Sequence, residues 1–404
     1  MPSVNPEILS WARETAGLSL EEAAAKLGIH DRGGITAAER LATLEAGEDT
    51  PTRTTLLKMA QKYRRPLVAF YMTNVPRKGD RGQDFRTLPA ERPKATDALL
   101  DALVRNIRAR QSMVRAVLED TEEAIPLAFI GSAKMSDGVP AIVSSIRERL
   151  NLDLASLRNE ASAKDAFALL RARAEVAGIF VLLIGNLGSH HTAIDPETFR
   201  GFALADNIAP FVVINDQDSQ AAWSFTLVHE LAHLWIGATG VSGGQSGSPL
   251  ERFCNDVAGE FLLPAEELRE LNVDDSTSLT LAAQKITDFA NSRNVSRSLV
   301  AYKLYRHHSI NQDMWRKLSG SFRQSWLQAR TARRESARDR GDGPSYYVVR
   351  RHRLGNAIIE FVGRATVDGL LSPSKVAKVL GMMPVNVETL VNPEAALGIS
   401  PRSP

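Results

Sequence analysis

The sequence predicts a mostly helical α+β protein, with helices at the N-terminus, a small sheet near the middle and helices again towards the C-terminus. Three observations predict this order. Residues 5–72 place apolar side chains at helical spacing between pairs of helix-capping residues. Three short apolar runs between residues 178 and 214 are typical of buried strands. Helical patterns return at Trp223 and continue to about residue 340.

The composition is that of an ordinary globular protein. Of the 404 residues, 44% are hydrophobic and 24% are charged, which excludes a mostly disordered or fibrous chain. This length accommodates two or three domains of roughly 100–200 residues each. Cys254 is the only cysteine, so an intrachain disulfide framework is excluded.

The charge is nearly balanced overall, at +2, but it is unevenly distributed. Residues 301–353 carry 13 Lys/Arg against 4 Asp/Glu, a local net charge of +9. Residues 1–76 carry 9 basic and 9 acidic side chains. The electropositive segment is therefore in the C-terminal third, where it is either a solvated face or a patch for phosphate contacts.

We expect a cytoplasmic location and no membrane partner. The N-terminus lacks a basic segment followed by an apolar one, so it does not resemble a secretory signal. The apolar run from Ile179 to Ile184 is far shorter than the roughly 20 residues that a membrane span needs.

Capping pairs mark the N-terminal helices. Ser19 with Glu22 and Thr36 with Glu39 have the spacing of capping boxes, in which each side chain satisfies an amide at the helix start. Glycines follow both segments and can end them, and Pro51 opens another helix. The polar stretch after Pro76 is typical of a linker.

Four parts follow from these patterns. We predict a helical domain at 1–76, a linker at 77–94, a domain at 95–310 and a C-terminal module of unknown role at 311–404. The central domain begins with a helix over residues 95–123. Its strands are predicted over 178–184, 199–205 and 210–214, its next helix over 223–236, a loop over 239–249 and a further helix over 251–263.

The clearest chemical signal is His229-Glu230-Leu231-Ala232-His233. On a helix, histidines four residues apart lie on one face and can reach the same ion. Zinc binds imidazole nitrogens and accepts a carboxylate oxygen as a third ligand. A bound metal lowers the pKa of water from about 15.7 towards 7, and Glu230 is placed to take the proton. The spacing therefore predicts metal-assisted hydrolysis.

The third ligand is expected on a nearby helix. Glu251 follows the glycine-rich loop after His233, and Glu260 is its rival. Asn255 could accept a hydrogen bond from the outer nitrogen of a ligand histidine. We interpret Cys254 as a small core residue. His190 and His191 could bind a substrate carbonyl, although exposed loop histidines are usually inert.

These residues carry a family resemblance. The metal motif, preceded by Phe225-Thr226-Leu227 and followed by Glu251-Arg252-Phe253-Cys254-Asn255 and Phe261-Leu262-Leu263-Pro264, resembles the ImmA/IrrE family of zinc-dependent peptidases. The resemblance covers residues 178–264 and implies a gluzincin-like core. It implies that His229, His233 and Glu251 bind Zn²⁺ and that Glu230 is the general base. Residues 346–355 resemble a C-terminal module that accompanies some members.

Residues 5–72 resemble the helix-turn-helix domain of the Cro/C1 repressor (XRE) class, on Leu18-Ser19-Leu20-Glu21-Glu22-Ala23-Ala24, Leu44-Glu45-Ala46-Gly47 and Pro51. The resemblance implies that Thr36, Ala37 and Arg40 face bases and that Arg53 or Lys58 contacts phosphates. Two features depart from that pattern: a longer turn at residues 30–34 and a net charge of zero, which weakens phosphate neutralisation. The alternative is a bundle that docks a protein, such as a repressor of similar fold.

The sequence therefore predicts a zinc endopeptidase fused to a helix-turn-helix module. The family resemblance implies a regulatory protein substrate, above all a transcriptional repressor, in a stress, prophage or defence response. Double-stranded DNA and a second copy of the chain are the other expected partners. The alternatives are a DNA-binding transcriptional regulator whose peptidase-like domain is a sensor or interaction surface, and an interaction component of a toxin–antitoxin or phage-defence locus.

Overall fold

The computed structural model describes residues 4–76, 94–238, 240–242, 248–340 and 345–391. These residues form two compact units. The first contains residues 4–76 and 94–106, and the second contains the described residues from 107 to 391. The predicted linker at 77–94 lies outside the described residues except for its last position.

The first unit is a small helical bundle. Both predicted capping boxes are present, with Ser19 and Thr36 each accepting a hydrogen bond from the amide of the glutamate three residues later. Ile8, Leu41 and Phe70 are fully buried in one apolar core. Besides the start of a longer helix, the unit contains a 3₁₀ turn at Leu67–Tyr71 and four helices, α1 (Pro6–Thr15), α2 (Leu20–Leu27), α3 (Ala37–Glu45) and α4 (Arg53–Lys62).

The longer helix, α5 (Lys94–Asp120), belongs to the first unit up to residue 106 and to the second from residue 107. The helices of the second unit that follow it and precede the sheet are α6 (Val139–Leu150), α7 (Leu154–Arg158) and α8 (Ala163–Val176). Those that follow the third strand are α9 (Gln220–Ile236), α10 (Pro249–Leu262), α11 (Ala265–Leu268), α12 (Leu279–Ser292), α13 (Arg297–Arg306), α14 (Gln312–Arg340), α15 (Tyr346–Leu354), α16 (Asn356–Val367), α17 (Pro373–Leu380) and α18 (Val387–Val391).

The sheet lies beside α9. Its strands, β1 (Phe180–Leu183), β2 (Gly201–Leu204), β3 (Phe211–Ile214) and β4 (Gly240–Ser242), are in the order β1-β3-β2-β4. Only β1 and β3 are parallel, and β2 is antiparallel to both of its neighbours. Every residue of β1, β2 and β3 is buried, which explains why these strands are continuous apolar runs rather than alternating ones.

Helix α9 lies at the centre of the second unit. The sheet, α8 and α10 all pack against it, and Leu227, Leu231 and Leu234 have no exposed surface. The core extends into α14, where Met314, Leu318 and Phe322 join the same apolar cluster. Among the helices that the structure describes, none is both long enough and apolar enough to cross a membrane.

The C-terminal helices are attached to the same core through a buried ion pair. Arg171 and Glu175, one turn apart on α8, contact each other at 3.1 Å. The carboxylate of Glu175 also accepts a hydrogen bond from the amide of Asn356, at the start of α16. Phe361 of α16 packs edge-on against Phe180 of β1. Glu175 of this ion pair therefore satisfies the first amides of α16, which has no side-chain cap of its own.

The structure confirms the mostly helical α+β class and corrects several details. The three predicted strands are present but shorter, and α9 begins three residues before the predicted start. The predicted loop at 239–249 contains β4, whose glycine- and serine-rich sequence carries no strand signal; the edge of β2 creates this strand by offering it backbone hydrogen bonds. Residues 124–177, for which we made no prediction, form α6 to α8.

Candidate metal centre

Helix α9 buries three ionisable side chains inside an apolar core. His229, Glu230 and His233 are 3%, 0% and 1% exposed. Burying such groups without partners costs several kcal/mol each, so their positions demand compensating interactions. The helix ends one turn later at Gly237, which adopts the left-handed conformation that a glycine tolerates best.

Helix α10 brings Glu251 to the two histidines. The side chain of Ser248 caps this helix by accepting a hydrogen bond from the Glu251 amide, and Pro249 occupies its first turn. Glu251 is therefore in the first turn of a helix that packs along α9, and it is 2% exposed. Cys254, one turn further, is buried in the core, as the sequence predicts.

Donor atoms of three residues converge within this site. Nε2 of His229 lies 3.1 Å from Nε2 of His233, and the two nitrogens lie 3.2 and 3.0 Å from the carboxylate oxygens of Glu251. Tetrahedral zinc with ligands at about 2.0–2.1 Å separates neighbouring donors by roughly 3.3 Å. The three residues therefore have the spacing of one face of a zinc coordination shell, and they could hold a metal ion.

The charge state of Glu251 also suits a residue that binds a metal cation. Burial raises the pKa of this carboxyl, but the hydrogen bonds and the Coulombic attraction from His229 and His233 together lower it by more, so the pKa lies well below its ordinary value. Glu251 is consequently a carboxylate in this environment, which is the form that binds a metal. Glu260, the rival third ligand, instead lies 2.6 Å from the ammonium nitrogen of Lys303.

The side chain of Glu230, on α9, lies against β2. A Cβ atom added to Gly201 of β2 would be 2.8 Å from Oε1 of Glu230 and 2.6 Å from Cγ2 of Thr226. Gly201 is thus needed for the strand to approach the helix at the position of this carboxylate. No pattern in the sequence pointed to Gly201, because its importance depends on what packs against it.

A cavity of about 630 Å³ opens on one side of the donor group. His229, Glu251 and Asn255 border it, so a metal held by the donors would have a coordination position accessible from the cavity. Nδ1 of His229 is buried without a hydrogen-bond partner among the described residues, and the role of Asn255 beside a ligand histidine stays a prediction. The part of the cavity wall that comes from α13 and α14 was not predicted from the sequence.

The other candidate residues lie elsewhere. His191 is exposed, in a 3₁₀ turn with His190, and is not among the described residues that border the cavity. In the first unit, Thr36 caps α3, Ala37 begins it, and Arg40 donates a hydrogen bond to the His30 carbonyl. Arg53 is exposed at the start of α4, and Lys58 donates to the Leu27 carbonyl at the end of α2.

Comparison with known proteins identifies one segment. Residues 174–305, from the end of α8 to α13, match the Peptidase_M78 family, described as the IrrE N-terminal-like domain. This segment contains the whole donor group, and the match supports the ImmA/IrrE resemblance and a metallopeptidase role. A search of curated proteins found no match. A search of solved structures found none either.

Proposed function

We propose that the chain is a zinc-dependent endopeptidase. One observation carries the proposal: a buried group of two histidines and a glutamate borders a cavity within the segment that matches a peptidase family. Two imidazoles and one carboxylate are a donor set that zinc enzymes use, with the fourth position left for water or substrate.

Each residue has a distinct role in this proposal. His229, His233 and Glu251 would hold the ion, which when bound would supply Lewis acidity for water and the peptide carbonyl. Glu230 accepts the proton of the attacking water and returns it to the leaving amine, so that peptide hydrolysis balances. The apolar surroundings of α9 exclude bulk water, which strengthens the interactions of these charges with the substrate.

The substrate and the first unit complete the proposal. We place the substrate among regulatory proteins, transcriptional repressors first, in a stress, prophage or defence response in the cytoplasm. The support is the resemblance to ImmA/IrrE peptidases and to repressor-type helix-turn-helix domains. The first unit would bind DNA or a protein of similar fold, and a homodimer would suit a palindromic DNA site.

The experiment compares three full-length proteins that are incubated with zinc and then freed of unbound metal: wild type, Glu230→Gln and His233→Ala. Metal content is measured by mass spectrometry, and cleavage of the protein encoded next to this chain is followed by intact mass. We expect Glu230→Gln to keep the metal and lose cleavage by about 10²–10⁴-fold. His233→Ala should lose both. Undiminished cleavage by Glu230→Gln, or no ion bound to wild type, contradicts the proposal.

The position of Glu230 favours a second candidate function. Within the described chain, this carboxylate is against β2 and is not among the residues that border the cavity. A DNA-binding regulator that uses the peptidase-like unit as a sensor does not require Glu230 to reach a substrate. A salt-dependent shift of the chain's own promoter DNA, equal for wild type and Glu230→Gln and without any cleavage, would support this candidate.

A further inference from the structure

Helix α14 forms one wall of the cavity beside the metal centre. Trp315, Phe322 and Trp326 all border this cavity. Their spacings of seven and four residues place them on one face of the helix. The helix begins after residue 305, where the match to the peptidase family ends. The wall is therefore built by a part of the chain outside the matched segment.

The aromatic wall is held in place by the core beneath it. Leu318 has no exposed surface, and Phe322 is 4% exposed. Trp315 stacks on Tyr305 of α13, with ring centroids 4.9 Å apart, and the guanidinium of Arg297 lies 4.9 Å from the centre of the Phe322 ring. Because these contacts fix the rings of Trp315 and Phe322 without a ligand, a bound side chain would lose little free energy in ordering those two rings.

Polar contacts join α14 to the segments that precede β2 and follow β3. Arg323 forms an ion pair with Glu197, in the segment before β2. Arg330 donates a hydrogen bond to the side-chain oxygen of Gln217, in the segment after β3, at 3.2 Å. Glu197 and Arg323 border the same cavity as His229, so a substrate held there is in reach of both the metal site and the aromatic face of α14.

The charges around this cavity do not select a charged ligand. Outside the donor group, its wall contains three acidic and three basic side chains, namely Asp195, Glu197, Asp218, Arg200, Arg297 and Arg323. Glu197 is already paired with Arg323, and Asp218 accepts a hydrogen bond from the Ser219 amide. The remaining driving force for binding is burial of apolar surface against the rings.

We propose that Trp315, Phe322 and Trp326 form the pocket that binds a bulky apolar side chain of the substrate, next to the peptide bond that is cleaved. This inference rests on the proposed function, and it names the substrate class: a polypeptide segment with an aromatic or large aliphatic residue beside the scissile bond. A cavity of about 630 Å³ is large enough for such a side chain and adjacent backbone. The residues that determine specificity are therefore on α14, and those that bind the metal are on α9 and α10.

The binding experiment uses zinc-loaded full-length Glu230→Gln. The probes are four fluorescein-labelled peptides that are identical except for one central position, occupied by Phe, Ala, Lys or Glu. Fluorescence anisotropy should show the tightest binding for the Phe peptide. Adding Trp326→Ala should weaken binding of the Phe peptide about tenfold and leave the other three nearly unchanged. Trp326→Phe should recover most of the affinity.

The matched control is Gln324→Ala, an exposed position on the same helix, which should bind all four peptides like its parent. Circular dichroism checks that each variant is folded. Equal affinity for all four peptides, or a Phe preference that survives Trp326→Ala, overturns the inference.

Cleavage profiling of a peptide library separates this inference from the proposed function. If wild type cleaves without a preference for apolar residues, the pocket inference is wrong and the peptidase proposal stands. If wild type cleaves nothing and the Phe peptide still binds through Trp326, the cavity is an apolar peptide-binding site and the peptidase proposal fails. Cleavage beside apolar residues, with KM raised about tenfold by Trp326→Ala, supports both.

Discussion

Helices α9 and α3 are the two helices to which the sequence assigns functional residues, and they differ in how deeply those polar side chains are buried. In α9 the polar residues His229, Glu230 and His233 are buried within a core. In α3 only Leu41 is buried; Thr36 and Glu39 cap the helix, and Glu45 pairs with Arg13 of α1. Buried ionisable groups require a partner, so the buried residues of α9 limit the functions that fit this helix. Exposed groups are satisfied by water, so α3 fits DNA, protein or no partner equally well.

The sharpest test of this contrast is metal binding. A divalent ion that binds only the folded donor group should stabilise the second unit by about 4 kcal/mol at a free concentration one thousand times its Kd. Hydrogen exchange with and without Zn²⁺ should show the added protection in α9 and α10 and none in α3. Equal protection of both units, or none, contradicts the assignment of the donor group.

A matched pair of histidine variants sharpens the same point. His233→Ala should abolish the stabilisation by zinc, whereas His191→Ala, at an exposed position, should retain it. Loss of the zinc effect in both variants would show that the ion binds somewhere other than between α9 and α10. Zinc titrations followed by thermal unfolding provide the measurement.

The next largest effect is expected where β2 meets α9. Gly201→Ala places a methyl group 2.6 Å from Cγ2 of Thr226 and 2.8 Å from Oε1 of Glu230, and overpacking of this kind costs about 1–3 kcal/mol. Gly320→Ala is the control, since a Cβ at that helical position meets nothing within 4 Å. Denaturant unfolding should show destabilisation only for Gly201→Ala, and an unchanged midpoint for that variant would contradict the close approach.

The first unit has its own ion pair, between α1 and α3. Arg13 contacts Glu45 at 2.8 Å, and their side chains are 12% and 8% exposed. Glu45→Ala leaves a largely buried guanidinium with one fewer partner and should cost about 2 kcal/mol, all of it in the first unit. Lys317→Ala, in an exposed pair, should change stability by well under 1 kcal/mol. Loss of zinc binding in Glu45→Ala would argue against the independence of the metal centre.

The smallest expected effect concerns the cap of α3. Thr36→Ala removes the side-chain oxygen that accepts from the Glu39 amide, which should cost about 1 kcal/mol. Thr54→Ala, at an exposed position inside α4, is the control and should be nearly neutral. Metal binding should be identical in both variants. If Thr36→Ala alters DNA binding by more than its effect on folding, Thr36 contacts a base as the sequence analysis predicts.

Local patterns predicted much of this structure because the interactions that they report are local. The capping boxes at Ser19 and Thr36 involve residues three apart, and both are present. The apolar strands and the helix carrying His229 and His233 were also found, within a few residues. Strand β4 and the importance of Gly201 were not, since each depends on a neighbouring element that is distant in sequence. The base contacts expected of Thr36 and Arg40 stay predictions.

By itself, the sequence determined the two histidines of the candidate site. Their spacing of four fixes them on one helical face wherever that helix packs. Only the tertiary structure decided that Glu251 joins them while Glu260 pairs with Lys303. Only folding, too, brought the aromatic residues of α14 to the same cavity. Helical periodicity fixes the directions of side chains within one segment, but the meeting of two segments depends on how the whole core packs around them.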